Sequence, residues 1–172
     1  MSRQRYASML GRWIEVNCGP LWERDYRAAG RLSFHDAARE AEGLIASSFE
    51  DFVLARRRYL VMAATVWLLG VALFIVVETQ LTEGIAWTPW VAAAIPPVMW
   101  FFWAGPRGRA ATFMRRLPVL LPALDSAYLA CVSLQPAERA AQLGEATQEF
   151  PLFAGCASAM TSFRSLADSS AA

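Results

Sequence analysis

The sequence predicts an all-α integral membrane protein: a two-helix transmembrane hairpin with amphipathic helical N- and C-terminal flanks, both cytoplasmic. Three observations predict it. Two runs of about 20 residues carry no charge, which suits spans of a ~30 Å hydrocarbon core. Arginine clusters stand outside the pair and none stands between its members. The flanks show apolar residues at three- and four-residue spacing. The expected organisation is residues 1–58 as N-terminal cytoplasmic amphipathic helices, 59–104 as the hairpin (59–77 and 85–104), and 105–172 as a C-terminal cytoplasmic or interfacial helical region.

Composition supports the class. Of the 172 residues, 56% are hydrophobic and 18% charged, against roughly 45–50% and ~25% in soluble domains. The excess is concentrated between Tyr59 and Ala104. A net charge of +1 makes no case for nucleic acid. All 16 cationic residues are Arg, a bias that codon usage in a GC-rich genome would produce, and without Lys no lysine-based chemistry is available.

The first span, Tyr59–Val77, reads YLVMAATVWLLGVALFIVV, with Thr65 its one polar residue. No apolar signal-peptide core lies between Met1 and Arg58, so this helix is expected to act as its own insertion signal. The second, Ile85–Ala104, reads IAWTPWVAAAIPPVMWFFWA. Pro96 and Pro97 each lack an amide proton, which predicts a kinked span and a candidate hinge. Tyr59, Trp87, Trp90, Trp100 and Trp103 sit near the span ends, as aromatic anchors at the headgroup level do.

Orientation follows from the flanks. Arg56, Arg57 and Arg58 precede the first span, and Arg107, Arg109, Arg115 and Arg116 follow the second. The connecting loop Glu78–Gly84 has two acids and no base. The positive-inside rule places both termini in the cytoplasm, in a membrane expected to be a bacterial inner membrane. The same arginines are candidates for contact with anionic headgroups.

In the N-terminal flank, Tyr6, Met9, Leu10, Trp13 and Ile14 share a helix face that Gly19 and Pro20 terminate. A second helix is expected from Ser33, as N-cap with Asp36 three residues on, to about Arg58, running on into the first span. Its apolar face is Phe34, Ala37, Ala38, Ala41, Leu44, Ile45, Phe49, Phe52 and Val53, with Arg39, Glu42 and Asp51 facing elsewhere. Such faces need partners; packing on the C-terminal flank or on another subunit is favoured over lying on the bilayer.

In the C-terminal flank, Leu117–Leu134 is long enough to tempt a third span. Asp125 near its centre argues against one, as Pro118 and Pro122 do more weakly. If it did span, Asp125 would be an intramembrane acid and the foremost functional residue. Pro136 is expected to open another helix to about Gln148, Phe150–Pro151 to end it, and one last weak helix to cover Leu152–Leu166 before a fraying tail.

No catalytic, cofactor-binding or metal motif occurs. His35 stands alone and reads as surface decoration. Cys18, Cys131 and Cys156 are scattered, without CxxC spacing, and read as thiols rather than a disulfide framework. The reading is a non-enzymatic scaffold or assembly subunit of a larger membrane complex, with membrane lipids and other subunits, or itself, as partners. The first alternative is a homo-oligomeric pore-forming effector gated at Pro96–Pro97. An enzyme would need Asp125 and His35 brought together, or residues from a partner.

The run RRLPVLLPALDSAYLACVSLQPAERA resembles the start of the cytoplasmic domain of type II secretion and tight-adherence pilus platform proteins. Leu117, Pro118, Leu121, Leu124, Ser133, Leu134 and Ala137 carry the resemblance over ~25 residues; Cys131 and Val132 stand where a glycine usually precedes Ser-Leu. The resemblance implies a relative or fragment of an inner-membrane platform as a further alternative.

Overall fold

A computed structural model describes residues 1–23, 32–80, 94–95, 98 and 106–171, with the side chains at 73–74, 77–80, 106–110 and 170–171 outside that description. Among the described residues the chain is all-helical: α1 (Arg3–Cys18), a 3-10 turn (Leu21–Glu23), α2 (Phe34–Gln80), α3 (Pro106–Ser133), α4 (Pro136–Glu149), α5 (Pro151–Ala157) and α6 (Thr161–Ala171). Two compact units result. One comprises residues 1–50 and 113–172, so the two flanks form a single body; the other comprises residues 51–112.

α1 starts where the Ser2 hydroxyl accepts from the Arg5 amide, and ends at Gly19, whose φ of 77° glycine adopts without a Cβ penalty. Tyr6, Leu10 and Ile14 are fully buried along the expected face. α1 packs mainly on α5. Their crossing is close because Gly11 faces the Cys156 carbonyl and Gly155 faces Ala7; a methyl group at Gly11 would meet the Cys156 carbonyl oxygen far inside van der Waals contact.

α2 begins as expected. The Ser33 hydroxyl accepts from the Asp36 amide at 3.2 Å and donates to its carboxylate at 2.6 Å. The helix continues without interruption to Gln80. In the flank unit it buries Phe34, Ala37, Ala38, Ala41 and Ile45. Two expectations change. Val53 is 45% exposed, and buried Ser48 lies inside, exchanging a 2.6 Å hydrogen bond with the Tyr6 hydroxyl. Glu42 turns toward α5, where it accepts from the Phe153 amide at 2.6 Å.

The apolar run of the C-terminal flank forms the middle of α3. Residues 123–128 are buried one after another, and Pro118 and Pro122 lie inside a continuous helix. Burial on every side over 123–128 favours an apolar composition there, with Asp125 and Ser126 as its polar members. Two aromatic clusters fill this unit. Tyr6 meets Phe49 and Phe113 edge-on, with Trp13 on Phe113; Phe153 meets Phe34 and Phe163, with Tyr128 on Phe163.

The last helix of the sequence reading is two. Pro151 opens α5, a turn follows at Ser158–Met160, and α6 runs from Thr161 to Ala171, through the tail expected to fray. The division is stabilised from α1. Glu15 accepts from the Thr161 amide at 2.7 Å, from the Ser162 amide at 3.2 Å and from the Thr161 hydroxyl, so one carboxylate satisfies the open amides at the start of α6. Desolvation raises the Glu15 pKa, but these hydrogen bonds outweigh it and hold the carboxyl below its usual range. Arg139 does the converse at the end of α3, donating to the carbonyls of Cys131, Val132 and Leu134 and to the Ser169 hydroxyl of α6.

Candidate functional site

The feature that core packing does not explain lies in the unit of residues 51–112. From Arg56 to Ala72, α2 exposes nearly every side chain described. Arg56, Arg57 and Arg58 are exposed in one turn. One turn later Leu60, Val61 and Met62 are exposed, and then Val66, Trp67, Leu68 and Leu69, with Val61 61% and Leu69 65% accessible. Successive helical residues point about 100° apart, so the exposed apolar atoms surround most of the helix. Among the side chains described there, Tyr59 and Ala63 are covered and Gly70 and Val71 half-covered. Thr65, the polar member, donates to the Val61 carbonyl at 3.0 Å and so brings no unsatisfied hydroxyl to the surface.

Among the described residues no helix is long and apolar enough to cross a membrane; the side chains described in the first run stop short of its full length. Most of the second run, with Trp87, Trp90, Trp100, Trp103 and the kink expected at Pro96–Pro97, lies outside the described residues, as does 81–84 of the expected connecting loop; its first three residues, Glu78 to Gln80, instead continue α2. Tyr59 is buried at 9% exposure. Arg107 and Arg109 fall on α3 with side chains outside the description, Arg115 is exposed and Arg116 half-buried.

Asp125 is buried in α3 beside buried Ser126, whose hydroxyl donates to the Pro122 carbonyl. His35 has company the sequence did not reveal. Its Nε2 lies 2.9 Å from an Arg39 guanidinium nitrogen and 3.6 Å from the Glu149 carboxylate, and its ring meets Phe150 edge-on. The neighbour four residues along the helix was readable from spacing; Glu149 was not. The thiols are set against reactivity. Desolvation pushes Cys131 up to about 11 despite nearby Arg139, and pushes Cys156 up to about 12. Among the described residues no cluster of His, Cys, Asp and Glu could hold a metal ion. An apolar groove of about 180 Å³ lies between α4, α5 and α6, with Phe153, Phe163 and Arg164 among the residues that line it.

No family model, curated protein or solved structure matches the chain.

Proposed function

We propose that this chain is a non-catalytic membrane subunit, a scaffold or assembly factor that a hairpin of residues 59–77 and 85–104 holds in the bilayer while its joined flanks dock partner subunits. The observation that carries the reading is the stretch of α2 after Arg58, apolar and exposed on most of its circumference. Water makes such a surface costly, at roughly 25 cal/mol for each Å² exposed; lipid removes the cost. The uncharged run of about 19 residues in one continuous helix matches the thickness of the hydrocarbon core.

Topology supports the hairpin independently of charge. Residues 1–50 and 113–172 form one body, so they share one side of any membrane. A chain that leaves that side at Tyr59 has to return before Phe113, and Ile85–Ala104 is the uncharged run available for it. The arginine distribution makes that side the cytoplasm.

The non-catalytic part rests on how the reactive groups are used. Glu15 and Glu42 cap helices, Arg139 closes another, and the two buried thiols are held far from ionisation at neutral pH. The test is affinity purification of the tagged protein from its native membrane in mild detergent, followed by native mass spectrometry. Different proteins eluting at fixed stoichiometry are expected. A stable, monodisperse and partner-free chain would overturn the scaffold reading, and a pure homo-oligomer would turn attention to conductance in planar bilayers.

A further inference from the structure

We infer that the groove between α4, α5 and α6 binds a small amphiphilic monocarboxylate, with an apolar part about the size of one ring in the groove and its carboxylate on Arg164. The site lies wholly within the flank unit, so it stands apart from what residues 59–104 do. Ala146 of α4, Ala154 and Ala157 of α5, and Ala167 of α6 line it together with Phe153 and Phe163. Alanine side chains end at Cβ, so the three helices meet there without filling the space between them. The groove measures about 180 Å³, and an apolar cavity of about 150 Å³ takes up benzene. A ring or a short branched chain therefore fits, whereas a whole helix, about 10 Å across, does not. The rings of Phe153 and Phe163 already stand edge-on at 5.7 Å, an arrangement that a third ring can extend.

The polar members of the lining set the ligand's charge. Thr147 and Ser158 are among them, but each hydroxyl donates locally, to the Gly144 carbonyl at 2.6 Å and to the Gly155 carbonyl at 3.2 Å. Arg164 is the charged residue of the lining. Its Nε donates to the Ser158 carbonyl, which ties the guanidinium to the turn between α5 and α6. Among the described residues no carboxylate pairs with its two terminal nitrogens. Asp168, four residues on along α6, is not part of the lining. The planar donors of a guanidinium match the two oxygens of a carboxylate at once. One cation without a second free donor beside it suits a single negative charge, whereas a phosphate monoester brings close to two.

The probe is phenylpropionate, added to full-length protein in mild detergent with isotope-labelled alanine methyl groups followed by NMR. Phenylpropanol is its neutral counterpart and phenylpropylamine its cationic one. The acid is expected to shift the methyl signals of Ala154, Ala157 and Ala167 saturably, and to bind about tenfold more tightly than the alcohol, the factor a charge-assisted hydrogen bond supplies at an exposed site. The amine should bind more weakly still. Arg164→Gln should bring the acid down to the level of the alcohol, and Arg164→Lys, which keeps the charge, should retain part of the preference. Ala167→Leu, at an exposed position, should fill the groove and weaken both. No saturable shift with the acid, or equal binding of acid and alcohol to the parent protein, overturns the site without recourse to any variant. So does a preference that survives Arg164→Gln. If the acid is inert and a co-eluting partner subunit shifts these methyl signals instead, the groove belongs to a protein; the carboxylate site is then overturned while the scaffold reading stands.

Discussion

Replacing Gly11 by alanine adds one methyl group where α1 crosses α5. The new carbon would meet the Cys156 carbonyl oxygen, its carbonyl carbon at 3.1 Å and its Sγ at 3.2 Å. Carbonyl backbone cannot rotate away as a side-chain end can, so the helices have to part. Parting them loosens the neighbouring approach of Gly155 to Ala7, 3.6 Å from where a Cβ would stand. Overpacking of this kind costs about 1–3 kcal/mol, while alanine in a helix interior returns about 0.5–1 kcal/mol relative to glycine. The expected net loss is about 1–2 kcal/mol, or several degrees of Tm for a chain of this size. Gly43→Ala on α2 is the control: nothing lies within 4 Å of its added carbon, so it should gain the helix term alone. Thermal unfolding in detergent, followed by circular dichroism, compares the two. Gly11→Ala as stable as the parent, with Gly43→Ala stabilised, would refute the close crossing.

Three more outcomes are expected. Glu15→Gln should lower the Tm by the equivalent of a lost helix cap, about 1 kcal/mol. Because the folded carboxyl is held below its unfolded value of 4.5, its contribution is present above that pH and fades as pH falls through the folded value; the parent and Glu15→Gln should therefore converge in acid. Arg139→Met removes the donors that close α3 and reach Ser169 and should cost about 1.5–3 kcal/mol, seen as faster hydrogen exchange at the end of α3. At pH 8 a maleimide should label partly exposed Cys18 first and reach Cys131 and Cys156 only on unfolding, since both thiols are buried and held protonated; rapid labelling of all three in folded protein would contradict the burial.

Local rules were enough for much of the flank architecture. The α1 face, its stop at Gly19 and the Ser33–Asp36 start of α2 follow from residues within one or two turns of each other. What escaped depends on distant partners. Ser48 turns inward because Tyr6 meets its hydroxyl, and Glu42 because Phe153 presents an amide. The α5–α6 division has Pro151 as a local sign, but the carboxylate that starts α6 comes from α1. Hydropathy alone also cannot tell lipid from protein as the surroundings of an apolar helix. Residues 117–134 and 59–77 look alike in composition, yet the first has a fully buried middle and the second is exposed at most of the side chains described. Of the candidate site, the arginines and the apolar run were legible because each is contiguous in sequence; the neighbours of His35 were not.

The cap that Glu15 places on Thr161 joins residues 146 positions apart. During translation α1 therefore leaves the ribosome long before the helix it completes exists. With 7 and 11 residues, α5 and α6 fall below the roughly 12–15 at which an isolated helix holds in water, so they depend on α1 and α2 in turn. The flank unit closes last, after the 51–112 segment has been synthesised, and closure over so long a loop is slow. Until then the face of α1 that packs on α5 lacks that cover, which makes the nascent chain a client for whatever shields apolar segments at the site of synthesis.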